Sequence, residues 1–224
     1  MLTQILFGSG LDISAFIGGK LPVINGSGRA GTTDIMTCEA CEFVDTFLKL
    51  YPDVAVILNI DADHLDYFKT VDNIIKSFNK FCNNTTKAII YNGDDENTVK
   101  AVSSVSGKEK ITFGLSDKND FYPENIERIN GMTTEFDLIH KGEKLVRLTV
   151  SVPGEHNILN ALAASAAAYY AGVKPSDIAE NLKNFTGAGR RFEKIAEKNG
   201  ITIVDDYAHH PAEIKVTLSA AVKM

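Results

Sequence analysis

A chain of 224 residues, 44% of them hydrophobic, can bury one sizeable core and part of a second. Its formal charge of -6 carries no basic excess, and no Lys/Arg cluster is interleaved with aromatic residues, which argues against a nucleic-acid scaffold. No apolar segment is long enough to span a bilayer, no secretory leader is legible, and the three cysteines make an odd count, so a soluble protein of a reducing cytoplasm is expected.

The first residues, MLTQILFGSGLD, place Leu2, Ile5 and Leu6 at helical spacing and close at Gly8 and Gly10, which suit a helix C-cap. Short buried strands are predicted over Ile35 to Cys38 and Val54 to Leu58, with a helical segment from about Phe43 to Leu50 between them. An amphipathic helix is predicted from Val71 to Cys82 on Ile74, Ile75, Phe78 and Phe81, followed by a strand at Lys87 to Tyr91 that ends in NGDDENT. Strand and helix alternate in the rhythm of a mostly parallel α/β sheet with helical crossovers. From Ile111 to Val152 the runs ITFGL, FDLIH and LVRLTVSV are β-like and joined by Asn-Gly and Lys-Gly turns, an added antiparallel section. Alanine-rich sequence then predicts a helix from about Ile158 to Ala171 ended by Gly172, and Ser176 is a candidate cap for a helix over Ile178 to Phe185. GAGRRFEKI reads as a hinge, and ITIVDDYAHHP as the first strand and polar loop of an incomplete further domain.

The chemistry concentrates at strand ends. NIDADHLD follows the apolar run VAVIL, at the carboxyl end of a buried strand, where open α/β sheets bind ligands. Carboxylates with one neutral imidazole suit a hard divalent cation such as magnesium; the plainer reading makes Asp61 or Asp63 a helix cap. Glu39 also follows a short strand and is a second candidate ligand. CEAC, with Cys38 and Cys41, could be a redox pair or half of a zinc site, but no second cysteine pair follows at zinc spacing. In GEHNILN, His156, Asn157 and Asn160 gather at a helix start, where amides can pair with a purine edge; the alternative is a plain cap and turn. Arg190 and Arg191 stand beside the glycine hinge, as surface charges or as groups able to reach a developing phosphoryl charge. Asp205, Asp206, His209 and His210 make a polar loop fit for hydrogen bonding or metal ligation. No GxxxxGK[ST] phosphate loop occurs in the sequence.

In order, CEACEFVDTFLKLYPDVAVILNIDADHLDYF, VPGEHNILNALAA, GAGRRFE and VDDYAHHPAE resemble the Mur ligase superfamily, most closely its alanine-adding branch, over nearly the whole chain. The resemblance implies a central ATP-binding domain over residues 1-186, without its phosphate loop, and a hinge with the start of an amino-acid-binding domain over 187-224. It implies an ATP- and Mg2+-dependent ligase of peptidoglycan synthesis that joins L-alanine to UDP-N-acetylmuramate through an acyl phosphate. Glu39 and His64 would hold magnesium, and Asn157 and Asn160 would lie by the adenine with His156 adjacent. Arg191 would contact phosphate, Asp206 would approach the ribose, and Arg191 and His209 are the catalytic candidates. Because the family's phosphate loop and sugar-binding domain would precede Met1, the isolated chain is expected to be inactive. A murein-tripeptide recycling ligase, a folylpolyglutamate-type ligase and a non-catalytic binding module are the alternatives.

Overall fold

The computed structural model describes residues 1–209 and 211–222. The chain divides into two compact units, one made of Met1–Glu39, Glu124–Asp137 and Leu145–Met224, the other of Ala40–Pro123 and Leu138–Lys144.

In the first unit, helix α1 (Leu2–Gly8) packs with α5 (Glu155–Tyr170) and α6 (Pro175–Lys183). The α1 end follows from its glycine: Gly10 takes φ +85°, and the amides of Gly10 and Leu11 return to the carbonyls of Phe7 and Leu6, a complete Schellman cap. Strands β1 (Ser14–Leu21), β2 (Gly26–Arg29) and β3 (Met36–Cys38) form a sheet in the order β2-β1-β3, antiparallel on one side of β1 and parallel on the other. The connection into β3 is tied to Asp12, whose carboxylate accepts the Thr32 amide (2.9 Å) and hydroxyl (2.8 Å). Arg29 pairs with the same carboxylate, and together these partners hold the Asp12 carboxyl below its ordinary range. A Cβ on Gly31 would lie 2.1 Å from the Asp12 carbonyl, so this loop requires glycine.

Helix α5 is apolar on nearly every side, with Ile158, Leu162 and six alanines buried, which is why its spacing shows no polar stripe. Helix α6 begins with Pro175 at its first position and Lys174 as N-cap. Ser176 is therefore not the predicted cap; it lies one residue inside and its hydroxyl bonds Asp177. The ribbon of β10 (Glu193–Lys198) and β11 (Ile201–Asp205) is antiparallel and is followed by α7 (Pro211–Ala221).

In the second unit, β4 (Val54–Ile57), β5 (Ala88–Asn92) and β6 (Glu109–Phe113) run parallel in register, Val54 beside Ala88 and Ala88 beside Glu109. The crossovers are α2 (Leu65–Phe68) with α3 (Val71–Asn84), and α4 (Glu96–Ser103). Thr70 caps α3 and Asp95 caps α4 through their side chains. Phe47 anchors the core, its ring stacked on Phe81 at 4.8 Å and edge-on to Phe78 at 5.0 Å. The helical segment expected near Phe43 to Leu50 is a broken 3-10 helix, Phe43–Lys49, because Val44 (φ 53°) and Asp45 (φ 56°) leave the helical region. The six-stranded sheet continues in the order β4-β5-β6-β7-β8-β9, with β7 (Phe121–Arg128) parallel to β6. Strands β8 (Thr134–His140) and β9 (Glu143–Val150) then follow as hairpin neighbours. Lys141 and Gly142, both at positive φ, make the two-residue turn between them.

Candidate functional site

The end of β4 is shaped residue by residue. After Ile57 the chain leaves the sheet; Ile60 is buried and its carbonyl accepts the Asn97 side-chain amide at 2.9 Å, which fixes the loop. The Asp61 carboxylate accepts the Ala62 amide and the Asp63 carboxylate accepts the His64 amide, each at 2.7 Å. Neither aspartate caps α2. Its N-cap is His64 itself, left-handed at φ 50°, ψ 38°, a region that histidine enters more readily than most residues.

That backbone turn presents the His64 ring to carboxylates. Its Nε2 is 3.6 Å from Glu42 Oε1 and its Nδ1 is 3.7 Å from Asp63 Oδ1, and one face meets the Phe43 ring at 4.7 Å. Among the described residues, Glu42, Asp63 and His64 bring donor atoms within 4.8 Å of one another. Two carboxylates and an imidazole are a donor set able to hold a divalent cation; the carboxylates suit magnesium, and the imidazole by itself suits softer ions such as zinc. Glu42 escapes a reading of the sequence, although CEACE carries two acids three residues apart. The turn supplying Glu42 and Phe43 is strained: Val44 is β-branched at positive φ, and the turn is held by the Tyr67 hydroxyl on Asp45 (2.8 Å) and by Ser77 on the same carboxylate. Asp66 lies exposed on the first turn of α2.

Glu39 is built in the other unit, directly after β3. Its amide bonds the Phe16 carbonyl and its Oε2 accepts the Gly18 amide at 2.8 Å, which aligns the carboxylate along β1.

At the start of α5, Gly154 turns the chain with φ 100°. The Asn157 side-chain amide donates to the Pro153 carbonyl at 2.7 Å and lies 3.1 Å from His156 Nε2, and Asn160 donates to Asn157 Oδ1 at 3.2 Å. The three predicted residues therefore form one connected polar row. His156 keeps a solvent-exposed edge, yet the protein packed around its ring pushes its pKa below the ordinary value, with nearby Asp206 opposing.

The glycine-rich segment at 187–192 and the loop after β11 meet. Arg190 lies over the Tyr207 ring at 4.8 Å and Arg191 at 5.8 Å, while the Tyr207 amide bonds the Arg190 carbonyl at 2.9 Å. Asp206 organises this corner: one oxygen accepts the Phe192 amide (2.7 Å), the other the Ala208 amide (2.8 Å) and the Thr217 hydroxyl (3.2 Å). His209 packs edge-on to Tyr207 at 5.4 Å and its amide bonds Glu213 at 3.1 Å. His210, named with this loop in the sequence, lies outside the described residues.

Cys38 and Cys41 are free thiols, and among the described residues the metal-donor group near them contains no cysteine. No helix among the described residues is long and apolar enough to cross a membrane.

Comparison with known proteins gives this geometry a setting. Residues 27–168 match the family model described as the Mur ligase middle domain, and residues 190–224 match that of the Mur ligase glutamate ligase domain. The chain is 45% identical over 223 residues to a UDP-N-acetylmuramate--L-alanine ligase of Clostridium novyi, covering 99% of this chain and 48% of that protein. It is 43% identical over 223 residues to the enzyme of the same name from Clostridium acetobutylicum, with the same 99% and 48% coverage. The chain thus spans about half the length of the curated relatives it matches. Among solved structures, a UDP-N-acetylmuramate-alanine ligase from Thermotoga maritima superposes with a TM-score of 0.85 at 26% identity, over 99% of this chain and 50% of that one.

Proposed function

This chain belongs to the Mur ligase family, and we propose that it forms the central nucleotide-handling part, with the opening of the C-terminal part, of an ATP-dependent ligase joining L-alanine to UDP-N-acetylmuramate. The domain boundary falls at residue 187, where the glycine hinge begins. The observation that carries the reading is the donor set at the carboxyl end of β4, an imidazole with two carboxylates where a parallel strand ends.

In this reading His64 and Glu39 are magnesium ligands, with Glu42 and Asp63 beside His64. Magnesium would neutralise crowded phosphate charge during formation of the acyl phosphate. Asn157 and Asn160 face the adenine with His156 adjacent, its pKa held below the ordinary value by the protein packed around its ring. Arg191 offers its guanidinium to phosphate, and Asp206 keeps spare lone pairs for the ribose while holding the loop that carries His209. The setting is the cytoplasmic stage of peptidoglycan synthesis, and so cell shape and division. The 224 residues contain no GxxxxGK[ST], so the reaction is proposed of a protein that includes this chain, and the chain alone is expected to be inactive.

A full-length protein containing this sequence should release phosphate only when ATP, Mg2+, UDP-N-acetylmuramate and L-alanine are all present. Equal release with glutamate or a tripeptide in place of alanine would assign the chain to another branch of the family. Equal release without any amino acid would remove the ligase reading.

A further inference from the structure

Strand β1 carries two adjacent glycines at which an added Cβ would crowd a neighbour, the end of the flexible Glu39 side chain at Gly18 and the Ala188 methyl at Gly19. A Cβ on Gly18 would lie 2.6 Å from Glu39 Oε1 and 3.0 Å from the carboxyl carbon, and the Gly18 amide donates to Oε2 at 2.8 Å. A Cβ on Gly19 would lie 3.3 Å from the Ala188 Cβ and 3.7 Å from the Gly189 carbonyl, while the Gly189 amide bonds the Lys20 carbonyl at 2.9 Å. Neither glycine has a positive φ, so the chain conformation does not demand them. Both are explained by what approaches the strand: a carboxylate at Gly18 and the hinge at Gly19.

We propose that Gly18 and Gly19 are positioning residues: Gly18 seats the Glu39 carboxylate for cation binding, and Gly19 seats the 187–189 hinge on the neighbouring residue of the same strand. The proposal rests on the reading of Glu39 as a cation ligand. The Gly18 amide fixes Oε2 and so limits the rotation of a flexible glutamate; the other oxygen accepts no hydrogen bond among those of the described residues. A carboxylate oriented in advance binds without losing that freedom on association. Because consecutive residues of one strand hold the ligand and the hinge, a shift of the hinge against the strand is transmitted to the carboxylate through a single peptide unit.

The test is Mn2+ binding to the 224-residue chain, followed by the loss of the free-ion electron paramagnetic resonance signal, for the unaltered protein, Gly18→Ala, Gly19→Ala, Glu39→Gln and Glu39→Asp. Gly18→Ala keeps the backbone amide but its Cβ displaces the Glu39 carboxylate from that amide, and should weaken binding about tenfold, the lower end of what a lost partner behind a metal ligand costs. In a Glu39→Asp background, whose shorter side chain withdraws from Gly18, the added Gly18→Ala should cost nothing further. Gly19→Ala should leave Mn2+ affinity unchanged and instead increase protease cleavage within 187–191. Circular dichroism separates these effects from unfolding, and the Asp-background pair supplies the answer if Gly18→Ala alone is unstable.

If Glu39→Gln abolishes the tight site while Gly18→Ala binds as the unaltered chain does, the positioning role is refuted and the ligand reading stands. The same penalty for Gly18→Ala in both backgrounds also refutes it. Unchanged binding by Glu39→Gln, or no Mn2+ binding by the unaltered chain, refutes the ligand reading and the positioning role with it.

Discussion

Ser165 lies in the middle of α5, fully buried, and its hydroxyl is the one buried side-chain polar atom without a hydrogen-bond partner among the described residues. Ser165→Ala removes that unpaired group and changes little else, since Ala161, Ala164, Ala166 and Ala168 already surround the position along the helix. A buried hydroxyl without a partner costs roughly 1–3 kcal/mol. Alanine gains up to about 0.5 kcal/mol over serine in a helix interior. Against this, the dispersion attraction of a single oxygen disappears, about 0.5 kcal/mol. The variant should therefore be more stable by about 0.5–3 kcal/mol. With no tryptophan in the chain, urea unfolding is best followed by far-ultraviolet circular dichroism. At a typical slope of about 2 kcal/mol/M, the midpoint should rise by roughly 0.25–1.5 M with the slope unchanged. A lower midpoint for Ser165→Ala would show that the hydroxyl is satisfied in solution and that the reasoning from an unpaired group is wrong.

Phe47→Ala should destabilise the second unit by about 3–5 kcal/mol, since it empties a buried position stacked on Phe81; a loss below about 1 kcal/mol in the same assay would contradict this. Cys82 is buried, with its thiol pushed up to about 11 by desolvation, whereas Cys38 and Cys41 are exposed. Iodoacetamide followed by peptide mass spectrometry should therefore label Cys38 and Cys41 in the native protein, and Cys82 only after denaturation. His140 is held below its ordinary pKa of 6.5, chiefly by burial against Phe121 and secondarily by Lys141, with Asp120 and Glu143 opposing. Its unfolded form binds a proton first, so its contribution is complete above about pH 6.5 and declines as pH falls toward the lowered value. Urea midpoints should drop between pH 7.5 and 5.5, both set in the assay at roughly one unit either side of the ordinary value, and the drop should be smaller in His140→Gln. An equal drop in the variant would assign the effect to other groups.

Where apolar residues repeat with a clear period, the sequence is sufficient. Ile74, Ile75, Phe78 and Phe81 announce α3, and the alanines of α5 announce that helix. The glycines of SAFIGGKL and GSGR hide β1 and β2, because they weaken β-propensity, and those of β1 stand where Glu39 and Ala188 approach the strand. In β7 the run FYPENIER breaks alternation with Pro123 and four polar residues, so no strand pattern shows. The short α4 is hidden in a polar stretch, although Asp95 before ENTVKAVS is a cap signal. The segment at Phe43 has helical composition, and only tertiary structure explains the turn at Val44 and Asp45, where Tyr67 and Ser77 grip the aspartate. That turn is also what carries Glu42 to His64, which spacing along the chain could not reveal. His156, Asn157 and Asn160 are legible as a group because a helix start places them together by local geometry alone.

The β10–β11 ribbon has a consequence for the timing of motion. Ile195, Ile201 and Ile203 are all more than half exposed and every residue of β10 is exposed, so β10 is not held by burial and β11 only at the half-buried Val204 and Asp205. Two strands without a covered face are marginal by themselves, and such segments open at the low end of a protein's range of local free energies. Amide protons over 193–205 should exchange with solvent well before those of β5, where Ala88, Ile89 and Ile90 are fully buried. Asp206 stands at the end of that ribbon with its oxygens on Phe192, Ala208 and Thr217, so each opening of the ribbon also releases the loop of Tyr207 and His209. The polar corner should therefore open by local fluctuation, at a lower free energy than global unfolding.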